Sequence, residues 1–193
     1  MLLETIIWND EEFHVGISEI MVSKQLDRDV LLNLASMLSE KVFALQFFNS
    51  AMIVDEVHLL SAAQNAMNAM KGNYMISRTF DVEIAIYASA QHQIGRALEM
   101  MGVTDDTKSV CVVIVDLKSA AIRECMSELI DTLGQEAKPQ FKATAEKISD
   151  LMRVFNISEV EMNQFTNDLS IDSRKKALLK CVVSRVSQAT LAS

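Results

Sequence analysis

The stretch "SVCVVIVD", Ser109–Asp116, decides the fold of this 193-residue chain. It is a continuous apolar run, rich in β-branched residues and bounded by Ser109 and Asp116. A run of this length and composition is typical of a strand that is buried on both faces. We therefore expect it to belong to a sheet with other elements packed on each side.

Patterns upstream of this run predict further strands and helices. The predicted strands cover Leu3–Trp8, Phe13–Val22, the extended segment Ala44–Val54, and Val82–Ala88, where apolar residues alternate with Glu83, Ala85 and Tyr87. A helix capped by Asp29 is expected through Val42, and a second helix is expected between Asp55 and Gly72. A third helix is expected to be capped by Ser89, with a stripe of Ile94, Ala97, Leu98 and Met101, and to end at Gly102.

Downstream of Ser119 the pattern becomes helical throughout. Apolar stripes run from Ile122 to Leu133 and from Phe141 to Met152. Ser158 and Glu161 form a capping box, and Ser173 is the expected cap of the last helix. The sequence thus predicts an α/β fold: one mixed or antiparallel sheet covered by helices, with a helical C-terminal third, in a single domain spanning residues 1–193.

Composition and charge indicate which broad classes of protein this chain belongs to. The net charge is −8, and because the five basic residues after Ser173 contribute +5, residues 1–172 carry −13. A broadly nucleic-acid-binding surface is therefore not expected, although the asymmetry indicates either two functional surfaces or local charge compensation. The three cysteines, widely spaced in apolar surroundings, are expected to be reduced core residues. The sequence shows neither a signal peptide nor a membrane-spanning run, so we expect a cytoplasmic protein without a membrane partner.

Motifs for catalysis are missing. The five glycines form no phosphate-binding loop, and the three histidines are too scattered to suggest a zinc site. Asp81 and Glu83 would share one face of the predicted strand, where pairing with Arg78 is a simpler role than acid/base catalysis. We expect a protein that is not an enzyme and that has no cofactor or metal.

The segment "ISRTFDVEIAIYASAQHQIGRALEMMGV" resembles the small kinase-binding subunit of the KEOPS complex. The similar features are an Arg followed by Ser/Thr, a Glu within the predicted strand, and "QI" opening a helix that ends in Gly. The upstream "IVDEVHLLSAAQNAM" is similar to the His-Leu-Leu helix of this family, with Asp55 in place of the commoner Gly. The downstream "VFNISEVEM" and the apolar last helix are also similar, whereas His92 stands where archaeal members usually have Arg.

The resemblance implies a non-catalytic protein of the complex that makes threonylcarbamoyladenosine in tRNA. Members of this family bind and stimulate the small atypical kinase/ATPase of the complex and help to recruit tRNA through its single-stranded 3′ CCA end. The transfer reaction and its metal belong to another subunit. The expected partners are therefore the kinase and the tRNA 3′ end, and DNA is not expected.

The residue types around the quoted segment suit a groove for single-stranded RNA, which combines cations with stacking surfaces. The candidate RNA-binding residues are Lys71, Arg78, His92, Gln93 and Arg96, near the aromatic Tyr74. His92 and Gln93 are expected in the first turn of their helix, where free N–H groups favour phosphate. Glu83 is expected to orient Arg78 from behind. The alternatives are that Arg78 only pairs with Asp81 or Glu83, that Arg96 is solvated, and that His58 is a core histidine.

The candidate partner-binding residues form the stripe of the last helix: Leu178, Leu179, Val182, Val183 and Val186. This stripe is wide enough to serve the core and a kinase together, with Lys180 and Arg185 at its rim. The alternative is that the whole stripe lies in the core. Two other functions stay open: a protein-binding adaptor that makes no RNA contact, and a small enzyme with a pocket around Glu83 and His92.

Overall fold

A computed structural model describes residues 1–8 and 11–189, with only the backbone of Trp8 and Arg28. Its strands are β1 (Leu2–Trp8), β2 (Glu11–Val22), β3 (Ala44–Asn49), β4 (Ser109–Asp116) and β5 (Gly134–Glu136). Its helices are α1 (Arg28–Ser39), α2 (Glu56–Gly72), α3 (Phe80–Ser89), α4 (Ile94–Met101), α5 (Ser119–Leu133), α6 (Ala145–Val154), α7 (Glu159–Asn163) and α8 (Ile171–Gln188). A short 3₁₀ helix, Ser50–Met52, follows β3. The connection between β1 and β2 lies outside the described residues.

The sheet is antiparallel throughout its described strands. The order is β1-β2-β4-β3, and β5 pairs with the far end of β2, beyond β1. Val15 lies opposite Val115 and Ile17 opposite Val113, so β2 and β4 form the centre. The α/β class, the antiparallel sheet and the helical C-terminal part are confirmed, although β5 was not predicted.

Strand β4 is buried on both faces, as its composition predicted. Cys111, Val113 and Val115 belong to a core formed with α2, α3, α6 and α8 on one face of the sheet. Val110, Val112 and Ile114 belong to a second core with α1 and α5 on the other face. Side chains along β4 therefore alternate between two apolar cores, and each core is covered by a different set of helices.

A buried carboxylate joins the sheet to the C-terminal helices. Glu19 of β2 accepts hydrogen bonds from Ser109 Oγ (2.7 Å), from Ser50 Oγ and from the backbone N–H of Phe141. The carbonyl of Phe141 in turn accepts a hydrogen bond from Lys175 Nζ of α8 (3.0 Å). Phe141 has a positive φ of 50° and precedes α6, so the prediction that it begins a helical stripe is wrong.

The segment predicted as the strand Val82–Ala88 is helix α3 instead. It packs between α2, α4 and β3, so nearly every side, including Ile84, Ala85 and Ile86, is buried. A helix that is buried all round has no polar face to reveal a period of 3.6 residues, and a short apolar run is then easily taken for a strand. The chance alternation around Glu83 and Tyr87 produced the error.

Helix caps show which local signals were reliable. Helix α2 begins after Asp55, as predicted, and Asp55 accepts from the backbone N–H groups of Val57 and His58. Ser158 accepts from the backbone N–H of Glu161, as its capping box predicted. Helix α1 is capped by Asp27 rather than Asp29, and α8 by Ser170 rather than Ser173. Ser89 was predicted to begin a helix but ends α3. Its hydroxyl donates to the carbonyl of Ile86 (2.9 Å), and Ala90 follows in the left-handed region.

Candidate functional site

A buried histidine holds α2 against the end of α3. His58 is fully buried, and its Nδ1 accepts from the backbone N–H of Val54 (3.4 Å). Its Nε2 therefore carries the proton and donates to the carbonyl of Ala88 (2.8 Å). Burial lowers the pKa of His58 to about 4, which keeps the ring neutral at neutral pH. The interpretation of His58 as a core histidine is confirmed.

This contact sets the geometry of the candidate site. Because the beginning of α2 meets the end of α3, the two helices run antiparallel, and the end of α2 lies near the beginning of α3. Lys71 in the last turn of α2 and Arg78 just before α3 are both exposed at this end. The structure therefore brings Lys71 and Arg78 to one end of the helix pair.

The connecting segment, residues 73–79, is called the contact loop below. Asn73 ends α2 in the left-handed region, with φ of 55°. The carboxylate of Glu83 accepts from the backbone N–H of Ile76 (3.2 and 3.1 Å) and from that of Ser77 (2.8 Å). Ser77 Oγ donates to the carbonyl of Thr79 (2.6 Å). The inner side of the contact loop is thus bonded to α3 and to itself.

Arg78 is exposed on this loop and lines an open depression of about 480 Å³. Phe43, Met70 and Phe80 also line the depression, and the rings of Phe43 and Phe80 lie 5.2 Å apart. Among the side chains that the structure describes, no acid forms an ion pair with Arg78, so pairing with Asp81 or Glu83 is wrong. Glu83 does not orient Arg78 directly, because no ion pair joins the two described side chains, and the carboxylate instead accepts from the backbone of Ile76 and Ser77.

His92, Gln93 and Arg96 lie at the other end of α3. Gln93 is the N-cap of α4 without a side-chain capping bond, and His92 precedes it, so neither residue lies in the first helical turn as predicted. All three side chains are exposed. Helix α3 has 10 residues and is about 15 Å long, so it separates these three residues from Arg78. The five candidates therefore form two groups rather than one cluster.

The length of α3 also argues against the alternative of a small enzyme with a pocket around Glu83 and His92. Glu83 lies in the first turns of α3, whereas His92 follows the end of that helix. The carboxylate of Glu83 is fully buried and is engaged by two backbone N–H groups. A shared catalytic pocket around Glu83 and His92 is therefore contradicted.

The stripe of α8 divides between core and surface. Leu178, Val182 and Val186 have no exposed area and pack in the same core as α2. Their assignment as partner-binding residues is therefore corrected, because they are already covered by the fold. Leu179 and Val183 are only half-buried. At the edges of the helix, Lys180 lies 5.3 Å from the centre of the Phe165 ring, and Arg185 pairs with Glu161 (2.8 Å).

Sequence patterns missed a group of exposed apolar residues near the beginning of α8. Val160 and Leu169 expose 74% and 77% of their surface, and Phe165 and Ile171 each expose 45%. These residues stand singly among polar neighbours, so no helical or strand period marks them. The one sequence feature that could have revealed them is the presence of large apolar side chains in an otherwise polar segment.

Most of the chain is similar to one known protein family. Residues 18–189 match the family model described as kinase binding protein CGI-121. No curated protein matches the chain at a significant level. Within the described residues, none of the helices has the length and apolar character needed to cross a membrane. The chain belongs to the CGI-121 family of kinase binding proteins, which confirms its resemblance to the small kinase-binding subunit of KEOPS.

Proposed function

We propose that this chain is a non-catalytic subunit of the KEOPS complex in tRNA threonylcarbamoyladenosine modification. It binds and stimulates the small kinase/ATPase of the complex in the cytoplasm, and it helps to recruit tRNA through the 3′ CCA end. The observation that carries the proposal is the match of residues 18–189, which include every candidate residue, to a family of kinase binding proteins. The decisive experiment is co-purification of the chain with the kinase subunit.

The outer face of α8 is the proposed kinase contact. Leu179 and Val183 remain half-buried there, and the exposed Lys180 supports association by electrostatic steering. Substituting both apolar residues by Lys is expected to weaken kinase binding at least 10-fold. Gln188→Lys, at an exposed position on another face of the same helix, is the control for an added charge. Unchanged binding by a folded double variant would reject this surface.

The contact loop and the start of α4 are the proposed tRNA contact. Arg78 supports this role because its guanidinium is exposed without an ion-pair partner among the described side chains, next to an aromatic depression. A guanidinium can bind a phosphate with two hydrogen bonds and can also stack on a base. Both properties suit a flexible single-stranded end.

Arg78→Glu tests this contact. The change is expected to weaken tRNA binding by about 10-fold or more, and the loss of one phosphate contact lowers the log–log salt slope by roughly 0.7. Kinase binding and the melting temperature are expected to stay unchanged. Arg123→Glu makes the same charge change at an exposed position on α5, on the other side of the sheet, and is the control. Equal tRNA binding by both variants and the unmodified chain would refute the RNA contact.

A kinase-binding adaptor without RNA contact is the second candidate. It is favoured by the net charge of −8 and by the division of the five candidate residues between the two ends of α3. Gel shifts with tRNA that carries or lacks its CCA end separate the two functions. Kinase binding together with no dependence on CCA would support the adaptor.

A further inference from the structure

Glu83 is a buried carboxylate, and the hydrogen bonds that it accepts from described residues all come from the contact loop. Its side chain has no exposed area, and it accepts from the backbone N–H groups of Ile76 and Ser77. Among the described side chains, no Lys, Arg or His lies within ion-pair distance of it. Burying a carboxylate is costly unless it is hydrogen-bonded, so these backbone donors are what make its position tolerable.

The two donors belong to the part of the loop that faces the interior, while the neighbouring side chains face solvent. Ser77 is buried, whereas Tyr74 and Ile76 expose 51% and 40% of their surface, and Arg78 is exposed. The loop follows a helix that ends with a left-handed residue, Asn73, and leads to α3 at Thr79. A segment between two fixed helix ends, held from inside by one carboxylate, presents its outer side chains in one arrangement.

We propose that Glu83 is a positioning residue: it fixes the contact loop so that Arg78 is presented to the RNA strand. This inference rests on the proposed tRNA contact. A loop that is ordered before binding avoids the entropy loss of being ordered by the ligand. Glu83 acts through the backbone of Ile76 and Ser77 and touches neither Arg78 nor RNA.

The direction in which Glu83→Gln changes the affinity for tRNA distinguishes a positioning role from a purely electrostatic effect. Removing a negative charge near a bound phosphate strengthens binding if charge alone matters. Positioning requires the opposite result for Glu83→Gln. The amide has a single acceptor oxygen, and its NH₂ group repels whichever of the two backbone N–H donors it faces.

The experiment compares Glu83→Gln with Asp81→Asn, a half-buried acid near Arg78 that makes the same charge change. We expect Glu83→Gln to bind tRNA about 10-fold more weakly, which corresponds to about 1.4 kcal/mol. Asp81→Asn is expected to bind equally well or up to about threefold more tightly, and Glu83→Asp to fall between Gln and the unmodified chain. Equal or tighter binding by Glu83→Gln overturns the inference.

A second measurement does not depend on RNA. Hydrogen exchange of the Ile76 and Ser77 amides is expected to speed up in Glu83→Gln, while the amide of Val54, bonded to His58, stays protected. Unchanged exchange at Ile76 and Ser77 overturns the inference. If Glu83→Gln does not fold, Glu83→Asp carries both measurements, and affinity and exchange equal to those of the unmodified chain overturn it.

The two proposals fail in different ways. If Arg78→Glu weakens tRNA binding and Glu83→Gln does not, only the positioning role is wrong. If Arg78→Glu leaves tRNA binding unchanged, the RNA contact is wrong, and the positioning role is overturned with it. Kinase binding by each variant reports that the rest of the fold is intact.

Discussion

The two ends of α3 are each held by a buried ionisable side chain, but the two contacts join different parts of the chain. At the beginning, Glu83 binds the backbone of Ser77, only 6 residues away. At the end, His58 binds the carbonyl of Ala88, 30 residues away. A local contact shapes a loop, whereas a distant contact joins two helices. We therefore expect substitutions of Glu83 to weaken RNA binding more than they lower stability. Substitutions of His58 are expected to lower stability more than they weaken binding.

The largest expected effect follows from removing the contact at the end of α3. His58→Ala is expected to lower the free energy of unfolding by about 4 kcal/mol, because two backbone groups lose their partner and a cavity remains. Urea unfolding measures the loss. His14→Ala is the control, since His14 is half-buried and its Nδ1 bonds to the hydroxyl of Thr5 (3.1 Å), and a change below about 1 kcal/mol is expected. A loss in His58→Ala as small as that in His14→Ala would contradict the stabilising role of His58 at this end of α3.

The next effect is a pH dependence at the same end. Burial lowers the pKa of His58 to about 4 in the folded state, while the unfolded value is about 6.5. The unfolded state therefore binds the proton first as pH falls. The contribution of His58 is complete above pH 6.5 and decreases by about 3 kcal/mol as pH falls through 6.5 to 4.

His58→Gln provides the reference for this measurement, because glutamine can keep a hydrogen bond but does not titrate. The difference in unfolding free energy between the two proteins should shrink as pH falls from 7 to 5. A constant difference over that interval would show that His58 is not held neutral by burial. Acidic groups that titrate in the same range affect both proteins alike and cancel in the difference.

A smaller effect tests whether the two ends of α3 contact the same RNA. Arg96→Glu is expected to weaken tRNA binding about fivefold, and the free-energy losses of Arg78→Glu and Arg96→Glu should add within about 0.5 kcal/mol, since the residues are far apart. Filter binding with a single tRNA measures Arg78→Glu, Arg96→Glu and the variant that carries both changes. No loss for Arg96→Glu would confine the RNA contact to the Glu83 end.

The smallest expected effect comes from His92. His92→Arg places a permanent cation beside the N-cap of α4 and should tighten tRNA binding about threefold, with a steeper salt dependence. The melting temperature should not change, because the side chain is exposed. Weaker binding by this variant would argue that a cation at this position does not face the RNA.

The sequence was informative where one residue determines a local structure. The helix start at Asp55 and the cap at Ser158 were correctly predicted, because their side-chain oxygens bond to N–H groups two or three residues away, whereas the caps predicted at Asp29, Ser89 and Ser173 were wrong. Strand β4 was correctly predicted because a run buried on both faces needs no periodicity. Helix α3 was missed because its burial depends on α2, α4 and β3, none of which can be inferred from its own residues.

The same reasoning explains what could be predicted of the site. Lys71, Arg78 and Arg96 were identified from residue type and position, and the structure places all three at the surface. Their division into two groups was not predictable. The distance between residues 78 and 92 depends on the segment between them, which was predicted as a strand and is the helix α3. The hydrogen bonds of Glu83 to the contact loop could not be predicted for a related reason: a helix turns the carboxylate back toward Ile76, whereas the predicted strand would not.

The burial of Leu178, Val182 and Val186 in α8 has a consequence for synthesis of the protein. Helix α2, which shares their core, ends at Gly72, and α8 ends 116 residues later at Gln188. At about 5–20 residues per second, the ribosome needs roughly 6 to 20 seconds to make this interval. During that time the apolar face of α2 lacks its last covering helix, so the nascent chain exposes apolar surface that the finished protein buries.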